Sequence, residues 1–306
     1  MSSVIENGFE DELKPYIDED TGMQMALVNM HYYEVRNKKQ LEGFQRKLEK
    51  ERVMKKRGKN YVNCFDEPIK QIVPRAKGNV LGALFVLLHF MQLNKDGLLL
   101  KNGKPATIAD IADRLGKKER RTKEIVSNLV DLGLINKGGD NTRNTTYSIS
   151  EDYFIMGGFE GGRDGKGMFS RLYQLQSRGQ LKNITLEDAD ILLRILPYFH
   201  CQKYYLCSNP YEMDVSEICH LNETELAELI GVHRNTLINR MKSLVRAGYI
   251  FKGIGISNAY FFQVNPDIMT RELDPNSPDA RVLRQHFAEL AKIDEKEQML
   301  KDLGLN

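Results

Sequence analysis

The feature that most constrains the fold is an internal repeat, in which residues 107–149 recur as residues 222–264. Glycine, apolar and aromatic positions match at one constant displacement of 115 residues: Gly116 with Gly231, Leu129 with Leu244, Gly133 with Gly248, Ile135 with Ile250, Gly138 with Gly253 and Tyr147 with Phe262. A register that holds over the whole of both segments is not expected by chance. It indicates two copies of one folding unit.

Each copy has the pattern of two helices followed by a β-hairpin. Thr107 and Asn222 are favourable N-caps, each with an acidic residue three positions later that completes a capping box. Gly133 and Gly248 fit the left-handed position that ends a helix, and alternating apolar residues then predict two strands. The second helix of each copy is predicted to turn these residues inward: Thr122, Val126, Leu129 and Val130, and Leu237, Met241, Leu244 and Val245.

The segment GVHRNTLINRMKSLVRAGYI at residues 231–250 resembles the winged-helix families of bacteria, including the MarR-like regulators. The resemblance extends to both copies and implies a fold that is mainly α-helical with small β-hairpin wings, an α+β class. It also implies that the second helix of each copy enters the DNA major groove. Two unlike copies in one chain of 306 residues are similar, in addition, to the replication initiators of plasmids and phages.

The second copy carries groups suited to reading bases. Arginine can bind guanine through two hydrogen bonds, and asparagine can bind adenine in the same way. The predicted outward face of the second helix carries such groups, and the hairpin adds a lysine and an asparagine. The residues expected to contact duplex DNA are His233, Arg234, Asn235, Thr236, Asn239, Arg240, Lys242, Lys252 and Asn258.

The first copy is richer in cations. Five Lys or Arg residues lie around the start of its second helix, where positive charge opposes the helix dipole at a cost of about 0.3–1 kcal/mol each. Because this pattern has no evident folding benefit, it indicates an anionic partner, for which duplex phosphate is the best candidate. The expected contacts are Lys117, Lys118, Arg120, Arg121 and Lys123, with Lys137 and Arg143 in the hairpin.

Around the two copies the sequence predicts five segments, and the chain length allows two domains with separate cores. Six glycines among residues 156–167 are too many for a regular element and indicate a linker. The apolar runs 79–93 and 186–199 predict an equivalent buried first helix in each domain. The segments are an acidic tail with a basic amphipathic helix (1–60), a first winged-helix domain (61–150), a Gly-rich linker (151–166), a second winged-helix domain (167–270) and a C-terminal helix (271–306).

The two terminal helices have alternative roles. Residues 1–22 are acidic and are expected to form a mobile tail, whereas residues 36–59 carry eleven Lys or Arg against three Glu. The helix predicted over Lys38–Lys56 either packs on a domain, forms a dimer or lies on phosphate. Ser277 and Pro278 begin a last helix whose narrow apolar stripe covers the second domain or a second subunit, so a homodimer through either helix is one expected state.

Other classes of function find no support in the sequence. The apolar runs are too short to span a bilayer and no basic-then-apolar leader is visible, so we expect a cytoplasmic protein. No GxxxxGK[ST] phosphate loop and no nucleophile–base arrangement is visible, so we expect no enzymatic activity and no cofactor. Zinc ligands were sought in one group that lacks a CxxC pair, for which free cysteines and no metal are expected: His200, Cys201, Cys207, Cys219 and His220.

The leading hypothesis is a sequence-specific double-stranded DNA-binding protein that initiates replication of plasmid or phage DNA. It is motivated by the two unlike recognition helices, which together read a longer asymmetric site. The alternative is a transcriptional regulator, either a repressor or an activator, of the same fold. A scaffold whose winged helices bind other proteins is the third hypothesis.

Overall fold

The computed structural model divides into two units that separate between residues 52 and 53. The residues that it describes are 15–26, 43, 45, 61–93, 95–139, 145–156, 167–255, 260–272, 274 and 276–302. Arg143 and Asn258, both expected to contact DNA, and the glycines at 157–165 lie outside these ranges.

In the first unit, β1 (Pro15–Ile17) and β2 (Gln24–Ala26) form an antiparallel hairpin. The turn closes on a hydrogen bond of 2.8 Å from the Gly22 amide to the Asp18 carbonyl, with Gly22 at a φ of 66°. Residues 15–17 are therefore a paired strand and not part of a mobile tail. The basic helix expected over residues 38–56 lies outside the described residues except at 43 and 45, which are both helical.

The second unit contains one order of elements twice. Residues 61–156, the first half, contain β3 (Tyr61–Phe65), α1 (Asp66–Ile72), α2 (Val80–Leu88), β4 (Leu100–Lys101), β5 (Lys104–Pro105), α3 (Ile108–Leu115), α4 (Glu119–Asp131), β6 (Ile135–Gly138), β7 (Thr146–Ile149) and β8 (Phe154–Met156). Residues 169–270, the second half, contain β9 (Phe169–Tyr173), α5 (Gln174–Gln180), α6 (Leu186–Ile195), α7 (Glu223–Leu229), α8 (Arg234–Arg246), β10 (Ile250–Ile254), β11 (Tyr260–Val264) and β12 (Met269–Thr270). The last described element is α9 (Pro278–Asp302), which Ser277 caps as expected by accepting the Ala280 amide at 3.1 Å.

A four-stranded antiparallel sheet, in the order β12-β9-β3-β8, joins the two halves. In its centre β3 pairs with β9, and Asn63 lies opposite Arg171. These two residues occupy the same position in the two halves, because β9 and α5 follow β3 and α1 at a displacement of 108 residues. A strand pair centred on equivalent residues has local two-fold symmetry. The outer pairs, β3 with β8 and β9 with β12, extend that symmetry.

The buried helices α2 and α6 cross under the same pseudo-two-fold relation. At the crossing the Gly82 amide donates to Asp190 Oδ1 over 3.3 Å, and these residues are again 108 positions apart. A Cβ atom on Gly82 would lie only 1.8 Å from the Leu186 carbonyl oxygen, so glycine is required there. At the start of the two helices, the Asn79 side chain donates to Glu187 Oε1 at 3.0 Å. The halves therefore pack as an intramolecular pseudo-dimer.

A buried ion pair stabilises this crossing. Arg194 Nε lies 2.5 Å from Asp190 Oδ2, and the two side chains are 5% and 8% exposed. The guanidinium also donates to the carbonyl oxygens of Val73 and Ala76 in the first half and of Ile230 in the second. Because its donors find acceptors on all sides, Arg194 meets the condition under which a buried charge is tolerated.

A second buried ion pair connects α1 to the chain after β12. Arg271 Nη1 lies 2.5 Å from Asp66 Oδ2, and the Tyr211 hydroxyl donates to the same carboxylate oxygen. The Arg271 guanidinium lies 4.6 Å from the centre of the Phe199 ring and donates to the Leu196 carbonyl at 2.7 Å. The Asp66–Arg271 ion pair joins the two halves directly, whereas Arg194 joins them through its hydrogen bonds to Val73 and Ala76. One apolar core runs through both halves. This single core replaces the separate cores that we expected from chain length.

The prediction of a mixed α+β fold with small antiparallel sheets is confirmed. The segment predicted as a linker contributes more than expected, because residues 154–156 form β8 of the central sheet. This strand pairs with β3 at the edge of the sheet, and Phe154 is fully buried. Within the described ranges, no helix is both long enough and apolar enough to cross a bilayer.

We expect Gly82→Ala to lower the free energy of unfolding by about 3 kcal/mol, because the added Cβ forces α2 away from α6. Gly179 in α5 provides the matched control, since a Cβ there meets no atom within 4 Å. Gly179→Ala should raise the free energy of unfolding by about 0.5–1 kcal/mol through helix propensity. Urea denaturation measures both changes, and equal effects would contradict the close crossing.

Candidate nucleic-acid interface

The first helix–turn–helix is fixed by a capping box and a left-handed glycine. The Thr107 amide donates to Asp110 Oδ2 at 2.9 Å, and the Asp110 amide donates to Thr107 Oγ1 at 3.2 Å. The hydrogen bond from the Thr107 amide, followed by that from its hydroxyl, lowers the pKa of the Asp110 carboxyl to about 2. Gly116 then ends α3 at a φ of 61° and turns the chain into α4, which buries Val126 and Leu129 as predicted.

The turn before α4 and its first turns carry the predicted cation cluster. The exposed members are Lys117, Lys118, Arg120, Arg121 and Lys123. Glu124 lies 2.7 Å from Arg121 and 3.9 Å from Arg120, whereas the three lysines form no ion pair with a described residue. Exposed pairs contribute about 1 kcal/mol or less, so Glu124 leaves this face with excess positive charge.

The second helix–turn–helix has the same capping box as the first but a different residue at the N-terminus of its second helix. Asn222 and Glu225 form the reciprocal bonds of the capping box of α7, at 2.9 and 3.0 Å. His233 caps α8, because its Nδ1 accepts the Asn235 amide at 3.3 Å. Lys118, at the same position of the first copy, makes no side-chain cap. The imidazole therefore takes the place that a hydroxyl or carboxamide usually fills.

One strip along α8 remains open. Asn235, Asn239 and Lys242 lie at successive turns of the helix, Thr236 lies beside them, and all four are exposed. None of these side chains forms a hydrogen bond or ion pair with a described residue, although the Asn235 backbone amide is capped. The opposite face of α8 buries Leu237 as predicted. The strip therefore offers amide, hydroxyl and ammonium groups to a partner.

Glu223 forms ion pairs with Arg234 and Lys252, two other residues that we expected to contact DNA. Its Oε2 lies 3.4 Å from Arg234 Nη2, and its Oε1 lies 3.2 Å from Lys252 Nζ on β10. Lys252 also lies 3.9 Å from the centre of the Tyr260 ring. These contacts connect the start of α7, the start of α8 and the hairpin. Sequence reasoning did not identify Glu223, because an acid in the first turn of a helix is equally explained by the helix dipole.

Arg240, expected to contact DNA, instead faces α6. Its Nη1 lies 3.4 Å from Asp188 Oδ1, and its side chain is 34% exposed. Ser243 donates to the other oxygen of the same carboxylate at 2.9 Å, so Asp188 fixes α8 on α6. The repeat itself carried the signal, because the equivalent residue in the first copy is the buried Ile125.

Each helix pair is followed by an antiparallel hairpin, β6 with β7 and β10 with β11. A short extended segment adds a third strand on one side: the Leu99 amide donates to Tyr147 at 2.9 Å, and the Leu206 amide donates to Phe262 at 2.8 Å. Lys137 is exposed on β6. The tips, residues 140–144 and 256–259, lie outside the described ranges.

Among the candidate zinc ligands, both ring nitrogens of His200 have backbone partners. His200 accepts the Gln202 and Lys203 amides at Nδ1, and its Nε2 lies 2.6 Å from the Glu212 carbonyl. The four cysteines of the chain, Cys64, Cys201, Cys207 and Cys219, are free. In the part of the chain that the structure describes, no group of three or more His, Cys, Asp or Glu side chains is placed to hold a metal ion.

Comparison with known proteins found no relative of this chain. No family model matches it, and searches of curated proteins and of solved structures each found no match. Functional conclusions therefore rest on the residues of this chain alone.

We expect His233→Ala to lower the free energy of unfolding by about 1 kcal/mol, because the Asn235 amide loses its cap. Lys118→Ala is the matched control at the same position of the first copy and should change stability by about 0.5 kcal/mol or less. Urea denaturation at neutral pH distinguishes the two. A loss that is the same for both variants would rule out the capping role of His233.

Proposed function

We propose that the protein is a sequence-specific double-stranded DNA-binding protein built from two winged helices, one in each half. The observation that carries this proposal is the exposed strip of Asn235, Asn239 and Lys242 on a helix that follows a tight turn and precedes a hairpin. A helix in this setting places its outer side chains in the major groove, where a carboxamide recognises adenine. Among the described residues these side chains have no competing partner, which supports that role.

In this proposal the two halves bind different parts of the DNA, the first half its phosphates and the second half its bases. The face of α4 carries mainly lysine and arginine, groups that bind phosphate and supply affinity without selecting a sequence. The face of α8 carries carboxamides, which suit base edges. Arg234 and Lys252, held together by Glu223, are assigned to the DNA backbone beside the hairpin. Arg240 is assigned a structural role in holding α8 on α6.

The pseudo-two-fold relation of the halves favours a particular arrangement of the DNA site. Helices related by a two-fold axis read half-sites that run in opposite directions, as in symmetric helix–turn–helix dimers. Because α4 and α8 carry different side chains, the two half-sites of this protein differ. The proposed target is therefore an imperfect inverted repeat that a single chain covers.

We assign to the protein the role of a replication initiator at a plasmid or phage origin. Two unlike surfaces in one chain read an asymmetric site that is longer than the site of either surface alone, and such a site suits a composite origin. Footprinting across the replicon tests this role. Protection at promoters alone, with replication intact after deletion of the gene, would favour a transcriptional regulator and contradict the initiator role.

Base reading by α8 and phosphate binding by α4 are separable. We expect Asn239→Ala to reduce discrimination at one base pair by about 1–3 kcal/mol and to leave the salt dependence unchanged. Lys118→Gln should weaken binding to all duplexes and reduce the slope of log affinity against log salt by about one unit. Fluorescence anisotropy with matched and mutated duplexes at several salt concentrations measures both quantities.

The control for charge is Arg281→Gln, which removes an exposed cation from α9, a helix that belongs to neither helix–turn–helix motif. Its affinity and salt slope should equal those of the wild-type protein. If the Asn239 and Lys118 variants also leave duplex affinity and preference unchanged, the proposal fails, and a scaffold that binds proteins becomes the better account.

A further inference from the structure

Two cavities meet at a cluster formed by Phe90, Arg114 and Arg178, on a part of the surface to which no function has yet been assigned. Their volumes are about 380 and 520 Å³, and the three residues line both. Arg114 lies on α3 of the first half and Arg178 on α5 of the second. We call this cluster with the smaller cavity the arginine site. It lies between the two halves.

The two guanidinium groups of the arginine site converge on one aromatic ring. They lie 4.4 Å (Arg114) and 5.2 Å (Arg178) from the centre of the Phe90 ring. Each donates one hydrogen bond to a backbone carbonyl, Arg114 to Leu100 and Arg178 to His89. Neither forms an ion pair with a described residue, and the buried Arg114 Nη1 has no hydrogen-bond partner among them. A guanidinium has five N–H donors, so within the described part of the chain each group leaves most of its donors open to a ligand or to solvent.

The lining of the smaller cavity is also unbalanced in charge. No aspartate or glutamate is among the described residues that line it, whereas Lys101 joins the two arginines there. Lys101 is itself paired, at 3.0 Å from Asp110 and 3.6 Å from Asp113. Lys101 and its two carboxylate partners carry a net charge of −1, so together with the two guanidinium groups the cluster carries +1. The guanidinium groups are the cations of this cluster that form no ion pair with a described residue. Two like charges near one ring repel each other, and an anion between them would relieve that repulsion.

We propose that the arginine site binds a small organic phosphate. Two guanidinium groups suit an anion with several acceptor oxygens, and a phosphate monoester has three such oxygens and a charge of about −1.5 to −2 at neutral pH. Its oxygens match the paired N–H donors of arginine, which bind phosphate through two parallel hydrogen bonds. The smaller cavity, of about 380 Å³, lies in the range of small-molecule sites. The remaining walls include Leu100 and Met156, which suit the carbon skeleton of such a ligand.

Isothermal titration calorimetry at constant ionic strength tests this proposal, with ribose 5-phosphate as the probe and ribose and succinate as controls. The wild-type protein should bind ribose 5-phosphate, and should bind neither ribose, which lacks the charge, nor succinate, which lacks the phosphate geometry. Arg178→Gln should weaken binding of the phosphate at least tenfold. Arg281→Gln removes an exposed arginine elsewhere and should leave binding unchanged.

Arg178→Lys guards against loss of the fold, because it keeps the positive charge and a donor near the His89 carbonyl. It should retain weakened binding, intermediate between the wild-type protein and Arg178→Gln. No binding of ribose 5-phosphate to the wild-type protein at about 10 mM would overturn the proposal. Equal binding of succinate, or equal affinity of the wild-type and Arg178→Gln proteins, would overturn it as well.

Duplex DNA is the competing anion, and it is tested with the same variants. If the arginine site takes a small phosphate, Arg178→Gln should bind duplex as the wild-type protein does in phosphate-free buffer. A loss of duplex affinity in Arg178→Gln, with no binding of ribose 5-phosphate to the wild-type protein, would transfer these arginines to the DNA surface and end the proposal.

Discussion

The close crossing of α2 and α6 is the contact on which the rest of the second unit depends. Equivalent residues meet there, so two identical halves would place either two carboxylates or two glycines face to face. The first pairing would repel, and the second would leave a void. The chain instead has Gly82 on one helix and Asp190 on the other, with Arg194 against Asp190. The halves therefore fit because they differ, and neither can be replaced by a copy of the other.

The sequence predicted what local patterns control. Capping boxes, left-handed glycines and the inward faces of α4 and α8 depend on neighbours within one copy, and these predictions are confirmed. The contact between the two halves was not predicted. The elements that form it, β3 with β9 and α2 with α6, repeat at a displacement of 108 residues, whereas the helix–turn–helix repeats at 115. The longer connection between α6 and α7 absorbs the difference. Ion pairs such as that of Asp66 with Arg271 join residues that are far apart in the sequence, so no local pattern predicts them.

In the candidate interface, too, local sequence patterns predict which side chains are exposed but not which of them pair with another element. Exposure of the lysine cluster and of Asn235 and Asn239 follows from helical periodicity, and the structure agrees with it. Asp188 forms an ion pair with Arg240, and Glu223 forms ion pairs with Arg234 and Lys252. These pairs join different helices and strands, so periodicity within one helix does not predict them. Such contacts distinguish polar side chains that hold one helix or strand on another from polar side chains that are free to bind a partner. The open set is smaller and more sharply divided, with cations on α4 and carboxamides on α8.

Selection of bound duplexes from a random pool tests the central claim most directly, namely that a pseudo-dimer within one chain presents two unlike surfaces to one DNA site. We expect enrichment of two different half-sites in inverted orientation at one fixed spacing, bound by a single chain. Asn239→Ala should then lose preference in only one of them. A direct repeat, variable spacing, two identical half-sites or no enrichment would contradict the account.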